Sequence, residues 1–301
     1  MRNAFFKGHG LGNDYIAVDP DELDFKLTPR VIRAICDRNW GLGSDGILAL
    51  EPSSRADFGV RIYNPDGSEA EKSGNGLRIF ARYLWATRRT RRRRFGVETR
   101  GGPVQVTLHL DRHGDPASAT VDMGVATFRP RALPCSLEVD ELLEQPLRVG
   151  SERLKFTGVS VGNPHCVVFR PAGQEWTREE LLELGPQLEN HQVFPRRTNV
   201  QLVVPTGPRS IYILIWERGA GETQASGSSS CAAASAAVRL GLVSSPVRVD
   251  APGGRLDIEV RDDFDLTMRG PVAAVASGRF ADAFARSFPA RQRAAQRSPR
   301  R

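Results

Sequence analysis

The stretch Glu217-Arg-Gly-Ala-Gly-Glu-Thr-Gln-Ala-Ser-Gly-Ser-Ser-Ser-Cys231 lies between an apolar run and an alanine-rich run. The apolar run, Ile211–Trp216, predicts a buried strand, and Ala232–Leu240 predicts a helix. A strand, a loop of small residues and a helix in this order bring backbone N–H groups and a helix N-terminus to one place. The sequence therefore predicts an anion-binding site at the start of this helix, next to Ser226.

A second copy of this arrangement occurs upstream. A strand, a glycine-containing loop and a helix are predicted at residues 59–63, 64–76 and 77–85. Ser73 follows Asn64 by nine residues, as Ser226 follows Glu217. A serine therefore precedes the predicted helix in both copies.

The repeated features indicate two related halves. The offset is 153 residues between the two loops and 150 between the Gly-Asn pairs at 12–13 and 162–163. Short strands dominate the predicted structure, with one good helix in each half. We therefore predict an α+β fold of two pseudo-symmetric halves, each a mainly antiparallel sheet around a central helix, with a shared site in the cleft between them.

The boundary between the halves is predicted near residues 127–134, where the proline content rises. The N-terminal half then covers residues 1–127, and the C-terminal half covers residues 128–269. A closing strand from about 270–278 is expected to return to the first half. Residues 279–301 form a basic tail that we predict to be disordered.

The formal net charge of +7 is concentrated in two segments. Residues 88–94 hold six arginines and no acid, and the tail carries seven arginines against one aspartate. The rest of the chain is therefore net acidic, by about −5. Neither segment has interleaved aromatic residues, so we predict a solvated arginine loop and no nucleic-acid partner.

Hydrophobic residues make up 40% of the 301 residues, enough for one large domain or two of about 150 residues. No apolar run approaches the ~18 residues of a membrane span. The N-terminus lacks the apolar core of a signal peptide. The four cysteines, at 36, 135, 166 and 231, have no metal-ligand spacing. These features predict a cytoplasmic protein with reduced thiols, no metal site and no membrane contact.

Two serines at helix N-termini form a candidate two-sided acid–base site. If the halves meet face to face, Ser73 and Ser226 lie on opposite sides of one cleft. The backbone N–H groups that would bind a carboxylate there belong to Gly74, Asn75, Gly227 and Ser228. A proton could then be removed from or added to the carbon next to the carboxylate. A serine before a helix is also the commonest N-cap, so each serine, viewed singly, fits a purely structural role.

Together these motifs resemble the diaminopimelate epimerase family of pyridoxal-phosphate-independent epimerases and racemases. The resemblance runs from His9 to Pro271 and rests on the segments Asn64–Ser68, Gly74–Gly76 with Arg78, Gly162–His165 and Glu217–Thr223. It implies reversible conversion of LL- to meso-diaminopimelate by proton transfer at the α-carbon, for lysine and peptidoglycan synthesis, without a cofactor. By position, it implies substrate binding by Asn13, Asn64, Asn163, Asn199, Glu217 and Arg218, with N–H groups from Gly74, Asn75, Gly227 and Ser228.

One departure from the family concerns its catalytic pair. The family has a cysteine before each of Gly74 and Gly227, acting as base and acid, where this chain has Ser73 and Ser226. A thiol has a pKa of ~8.5, lowered further at a helix N-terminus. A serine hydroxyl is far less acidic and needs a neighbouring base in order to react.

The candidate supporting groups are His165 and Glu217, both predicted near the cleft. A smaller departure is Gly46, where the family often carries a substrate-contacting glutamine. The alternative to an epimerase is an impaired or repurposed homologue: an amino-acid-binding protein, or a one-base racemase or dehydratase. The expected partner is a diaminopimelate-like amino acid. A homodimer is one expected assembly, and the sequence leaves the oligomeric state open.

Overall fold

The computed structural model describes residues 2–289. Within this range, eighteen strands form one continuous hydrogen-bonded network, and five α-helices pack on it. Most strand pairs are antiparallel. The predicted sheet-dominated α+β class is confirmed.

The part of the chain before residue 127 contains eight strands and two helices. The strands are β1 (Ala4–Gly10), β2 (Asn13–Val18), β3 (Ile47–Glu51), β4 (Phe58–Tyr63), β5 (Glu69–Ala70), β6 (Arg94–Thr99), β7 (Gly102–Leu110) and β8 (Pro116–Val125). The helices are α1 (Pro29–Cys36) and α2 (Gly74–Ala86). Helix α2 packs against β1, β2, β7 and β8, because its apolar residues at helical spacing are fully buried.

The remaining described chain contains ten strands and three helices. The strands are β9 (Gln145–Val149), β10 (Glu152–Ser160), β11 (Pro164–Phe169), β12 (Asn199–Gly207), β13 (Ser210–Glu217), β14 (Gly221–Thr223), β15 (Val247–Ala251), β16 (Gly254–Val260), β17 (Asp265–Pro271) and β18 (Ala273–Arg279). The helices are α3 (Arg178–Glu189), α4 (Gly227–Arg239) and α5 (Asp282–Arg286). Small alanine side chains let α4 approach the strands from β10 to β13 closely.

The strand pairing repeats with a period of nine strands. In the first set, β2–β3 and β4–β6 are parallel, and in the second set β11–β12 and β13–β15 are parallel. Four antiparallel pairs also have counterparts nine strands later, namely β1–β2, β3–β4, β6–β7 and β7–β8. In addition, β8 pairs with β17. The last described strand, β18, pairs with β1 as β9 pairs with β10, so the described chain closes on its first strand. The residue limits of 127 and 269 for the two halves stay a prediction.

Three apolar clusters hold the sheet and helices together. The largest contains the buried faces of both α2 and α4, together with Met123 and Met268. A second cluster packs α3 on the opposite face of the later strands, and a third packs α1 on the early strands. Each set of strands thus carries its central helix on one face and a second helix on the other. The two central helices share one core.

Five of the six arginines in the arginine loop are exposed, in line with the predicted solvated loop, but the loop also contacts the body of the protein. Arg89 forms ion pairs with Asp19 at 2.6 Å and Glu22 at 3.2 Å. Arg91 lies over the ring of Trp85, 5.3 Å from its centroid. The loop is therefore tied to the body of the protein by charge pairs and a cation–π contact, which a composition argument alone does not anticipate.

Residues 280–289, at the start of the predicted disordered tail, pack against the protein, which corrects that part of the prediction. Phe280 is buried, and its ring stacks with that of Phe284 at 5.7 Å between centroids. Phe288 also packs on the cluster around α1. The aromatic residues at a spacing of four therefore give α5 an apolar face, which the high arginine content of the tail concealed. Residues 290–301, the rest of the predicted tail, lie outside the described residues.

No helix between residues 2 and 289 combines the length and the apolar character that a bilayer span requires.

Candidate active site

Both serines cap the helices that follow them. Ser73 is the N-cap of α2, and its Oγ accepts a hydrogen bond from the Gly76 N–H at 3.0 Å. Ser226 is the N-cap of α4, and its Oγ accepts one from the Ser229 N–H at 3.5 Å. The structural role that each serine fits is therefore present, and a cap of this type stabilises a protein by about 1 kcal/mol. The remaining first-turn N–H groups have no acceptor within the helix and can bind an anion.

The two helix N-termini meet around one methionine. A Cβ added to Gly74 would lie 2.6 Å from Met268 Cε, and one added to Gly227 would lie 2.9 Å from Met268 Sδ. The same added Cβ on Gly227 would lie 3.7 Å from the Cα of Gly74. Glycine after each serine is thus required for close approach. The chain thus brings the N-termini of α2 and α4 into contact with each other.

Acidic and phenolic groups from both strand sets converge on the serines. The Glu217 side chain is half-buried, and desolvation raises the pKa of its carboxyl; the nearby Ser226 hydroxyl opposes that rise, and the charge of Asp45 adds to it. The Tyr15 hydroxyl lies 3.3 Å from Ser73 Oγ. Burial raises the pKa of Tyr15 to about 12, and the carboxylates of Asp45 and Glu217 contribute to the rise. Glu217 therefore acts electrostatically on groups from the other half.

A directed chain of hydrogen bonds runs behind Ser73. Arg78 Nη2 donates to Asn75 Oδ1 at 2.7 Å, and Asn75 Nδ2 donates to Asn13 Oδ1 at 3.1 Å. Asn13 Nδ2 donates in turn to Asp45 Oδ2 at 2.8 Å. A guanidinium only donates and a carboxylate only accepts, so the two ends fix the orientation of both amides. The second N–H of each amide stays available for a ligand.

The second set of strands holds its asparagines differently. Asn199 Nδ2 donates to the Pro164 carbonyl at 2.8 Å, and Asn199 Oδ1 accepts from the Arg218 N–H at 3.0 Å. Asn163 Oδ1 lies 3.0 Å from His165 Nε2. Asn199 therefore fixes the backbone where the Glu-Arg pair begins.

Three predicted residues lie toward the protein surface. Asn64 is half-buried in a turn and donates from Nδ2 to Ser68 Oγ at 3.0 Å. Arg218 is exposed and donates from Nη1 to the Arg196 carbonyl at 3.3 Å. Ser228, on α4, is half-buried, and its Oγ lies 3.5 Å from Ser226 Oγ. These residues suit the outer part of a site whose inner part is buried.

His165 is a poor candidate for a general base. It is fully buried, and burial lowers its pKa to about 3. The ring is therefore neutral at physiological pH, with Nε2–H donating to Asn163 Oδ1. A supporting role for His165 is better assigned to orienting Asn163 than to accepting a proton.

The buried His165 predicts a loss of stability in acid. Its pKa in the folded state lies below the ordinary value of 6.5, so the unfolded chain binds the proton more readily. The free energy of unfolding should therefore fall as the pH drops from 6.5 towards 5, by up to about 1.4 kcal/mol per pH unit from this group. Denaturant titrations of the wild type and His165→Gln at several pH values measure the difference.

His113→Gln is the matched control, because His113 is exposed. Its pH dependence should match that of the wild type. A His165→Gln variant with an unchanged pH slope would contradict the buried neutral ring.

Three residues of the site were missed from the sequence. Asp45 lies in a glycine-containing segment two residues before β3, and this local pattern was a usable signal for a site residue. Tyr15 was seen only as part of an apolar strand. Glu189 is 5% exposed and accepts from Trp216 Nε1 at 2.8 Å and from the Gly219 N–H at 2.8 Å. It anchors the Glu-Arg loop from a helix end, which no local pattern reveals.

The inner site residues are closely packed. Ser226, Asn75 and Asn199 are only 5–6% exposed. Two surface cavities, of about 410 and 440 Å³, are lined by residues other than the predicted site residues. Among residues 2–289, no group of three His, Cys, Asp or Glu side chains is arranged to hold a metal ion. The described site is thus built from serine hydroxyls, side-chain amides, backbone N–H groups and individual carboxyl groups.

The comparison with known sequences points to one family. The profile of the family described as diaminopimelate epimerase matches residues 5–129 and 157–275. The chain is 44% identical over 276 residues to diaminopimelate epimerase 2 of Nostoc sp. (strain PCC 7120 / SAG 25.82 / UTEX 2576), covering 91% of this chain and 94% of that protein. It is 41% identical over 282 residues to the diaminopimelate epimerase of Synechococcus elongatus (strain ATCC 33912 / PCC 7942 / FACHB-805), covering 92% and 98%.

Solved structures share the fold at low sequence identity. A hydroxyproline epimerase from Agrobacterium vitis has a TM-score of 0.65 and 14% identity, covering 94% of this chain and 93% of that one. A phenazine biosynthesis protein of the PhzF family from Bacillus anthracis has a TM-score of 0.62 and 16% identity, covering 91% and 97%. The predicted fold of two pseudo-symmetric halves is confirmed. The chain belongs to the diaminopimelate epimerase family of isomerases.

Proposed function

We propose that the protein interconverts LL- and meso-diaminopimelate by removing the α-proton on one face and adding a proton on the other. One observation carries this proposal: Ser73 and Ser226 cap two helices whose first glycines meet around Met268. A planar carbanion between two helix N-termini has an acid–base group on each face. The N–H groups and dipoles stabilise the negative charge that develops on the substrate carboxylate, so the reaction needs no pyridoxal phosphate or metal.

The proposed binding mode separates the reacting and the distal ends of the substrate. The reacting α-carboxylate would accept hydrogen bonds from the N–H groups of Gly74, Asn75, Gly227 and Ser228. The amides of Asn13, Asn64, Asn163 and Asn199 and the guanidinium of Arg218 would bind the distal end, and Glu217 would contact the substrate near its reacting end. Binding of a distal carboxylate by Arg218 suits its exposed place at the edge of the buried site.

Serine requires a base on the proton-accepting side, and Glu217 is the proposed base. Its carboxyl contacts the Ser226 hydroxyl, and it is poorly solvated. As the substrate Cα–H bond breaks, Ser226 Oγ gains that proton and passes its own to the Glu217 carboxylate. On the other face, the Ser73 hydroxyl gives its proton to the carbanion. His165 supports the site by orienting Asn163.

The test is conversion of one pure isomer into a mixture. Purified protein is incubated with LL-diaminopimelate, and the isomers are separated by chiral chromatography. Formation of meso-diaminopimelate that is lost in the Ser73→Ala/Ser226→Ala variant supports the proposal. If the protein binds LL-diaminopimelate but forms no second isomer, the result contradicts the proposal and indicates an amino-acid-binding protein.

Arg218→Ala is expected to weaken diaminopimelate binding. Loss of a charged hydrogen-bond donor to the distal carboxylate should raise the Kd by about 10- to 100-fold, measured by titration calorimetry. Arg196→Ala is the matched control, because only the backbone carbonyl of Arg196 contacts Arg218. Unchanged affinity in Arg218→Ala would refute the role of its guanidinium.

We also propose a cytoplasmic location and a homodimeric assembly. The four cysteines are free thiols, which suits a reducing compartment. Sedimentation equilibrium distinguishes a dimer from a monomer of 33.1 kDa.

A further inference from the structure

Tyr15 is a buried phenol that the mechanism above does not use. It lies on β2, is 7% exposed, and its hydroxyl is 3.3 Å from Ser73 Oγ. The separation is at the long end of a hydrogen bond, as is common for catalytic groups without bound substrate. Tyr15 is thus placed to act on the reaction through Ser73.

The ring of Tyr15 occupies its position because residue 46 has no side chain. A Cβ added to Gly46 would lie 2.7 Å from Tyr15 Cε1 and 2.3 Å from the Tyr63 carbonyl oxygen. Neither contact is possible, so only glycine allows the ring to lie here. The departure at Gly46 and the phenol beside Ser73 are therefore two parts of one arrangement.

The hydrogen bonds around Ser73 leave one direction for its proton. Its oxygen accepts from the Gly76 N–H at 3.0 Å. Burial raises the pKa of Tyr15 to about 12, so the phenol keeps its proton at neutral pH and can donate it to the same oxygen. When Tyr15 donates, both lone pairs of Ser73 Oγ are occupied by donors, and the Ser73 hydroxyl directs its own proton away from both of them.

The corresponding groups near Ser226 are different. Tyr15 follows Asn13 by two residues, and His165 follows Asn163 by two. His165 Nε2 contacts Asn163 rather than Ser226, and Ser226 instead contacts the Glu217 carboxyl. The repeated scaffold therefore carries a hydrogen-bond donor beside one serine and a proton acceptor beside the other.

We propose that Tyr15 is a positioning residue that makes Ser73 the proton-donating member of the pair, opposite Ser226 and Glu217 as the proton-accepting side. In this step the Ser73 O–H bond breaks as a new Cα–H bond forms on the carbanion. The resulting alkoxide keeps its hydrogen bonds from Tyr15 and Gly76, and it regains a proton from water. The reverse reaction uses the same groups in exchanged roles. This inference rests on the proposed epimerase function.

Tyr15→Phe tests the inference through a ratio of two rates. In D₂O, one rate is loss of the substrate α-hydrogen and the other is interconversion of the isomers, each followed from LL- and from meso-diaminopimelate. Without the phenol, transfer of a proton from Ser73 to the carbanion slows. On the Ser226 side, removal of the α-hydrogen and its replacement by deuterium continue. From one starting isomer, the ratio of hydrogen loss to interconversion should rise about tenfold or more.

A merely structural role for Tyr15 would lower both rates in proportion and leave the ratio unchanged, which would overturn the inference. Tyr63→Phe is the matched control, since Tyr63 also lies beside Gly46 but its hydroxyl contacts Arg61. Its ratio should equal that of the wild type. Thermal unfolding confirms that both variants fold.

A second measurement tests Tyr15 even if the wild type shows no exchange, the result that would refute the epimerase proposal itself. Ser73→Cys places a thiol beside the phenol, and the pH dependence of its alkylation gives its pKa by peptide mass spectrometry. Adding Tyr15→Phe should raise that pKa by about one pH unit, because a donor to the thiolate is lost. An unchanged midpoint would show that the phenol does not bond the group at position 73.

Discussion

Replacing Ser73 and Ser226 together with cysteine is expected to raise the rate of diaminopimelate epimerisation about a hundredfold to ten-thousandfold. Both positions cap helices whose N-termini favour negative charge, and this setting lowers the pKa of a thiol from ~8.5. A thiol at each position could therefore accept or donate a proton without relying on Glu217. The rate is measured by chiral chromatography of the isomers.

The two single variants are the controls. Epimerisation needs a competent group on each face. The epimerisation rate of Ser73→Cys alone, or of Ser226→Cys alone, should therefore be much lower than that of the double variant. Hydrogen loss in D₂O that is faster than interconversion is the expected signature of a single thiol, because the remaining serine limits proton transfer on its own face. A folded double variant that binds diaminopimelate and remains inert would show that the two capping positions are not the acid–base pair.

Glu217→Gln is expected to reduce α-hydrogen loss from diaminopimelate by at least about a hundredfold. The amide keeps the size of the side chain but cannot accept the proton that Ser226 passes on. Burial raises the pKa of Glu217 above its ordinary value of 4.5, so the active carboxylate form is lost as the pH falls through that raised pKa. The wild-type rate should therefore rise with pH in this window, and the variant should lack that rise.

Glu222→Gln is the matched control in the same loop. Glu222 is paired with Arg178 through Oε1 and Oε2 at 2.8 and 2.7 Å, away from the serines. Its exchange rate should stay within about twofold of the wild type, because surface pairs contribute little. Glu217→Gln should also unfold no earlier than the wild type, since a raised carboxyl pKa means that burying the charge costs stability at neutral pH. Full exchange in Glu217→Gln would refute its role as the base.

The repeat was visible in the sequence because it is local in each copy. A strand, a small-residue loop with a serine and a helix can be recognised from residues 59–85 and again from 211–240. Periodicity and cap chemistry act over a few residues, so the central helices and the capping serines could be predicted. The same local reasoning missed α5, because the seven arginines of residues 279–301 hid the spacing of Phe280, Phe284 and Phe288.

The parts of the site that depend on the fold could not be predicted. Glu189 and Gln201 are buried polar residues whose partners lie 27 to 30 positions away in sequence. Asp45 is recognisable as a site residue only once Asn13 is seen to donate to it. Tyr15 is recognisable as a site residue only once its ring is seen to fill the space beside Gly46. Long-range pairing, rather than local propensity, decides these positions.

The most direct test of the account is proton NMR of LL- and meso-diaminopimelate with the purified protein in D₂O, following the α-hydrogen signal. The account predicts loss of that signal together with interconversion of the isomers. Neither the signal loss nor the interconversion should occur in Ser73→Ala/Ser226→Ala. An α-hydrogen signal that persists in both isomers, while the protein binds them, would contradict a two-sided proton-transfer site built on Ser73 and Ser226.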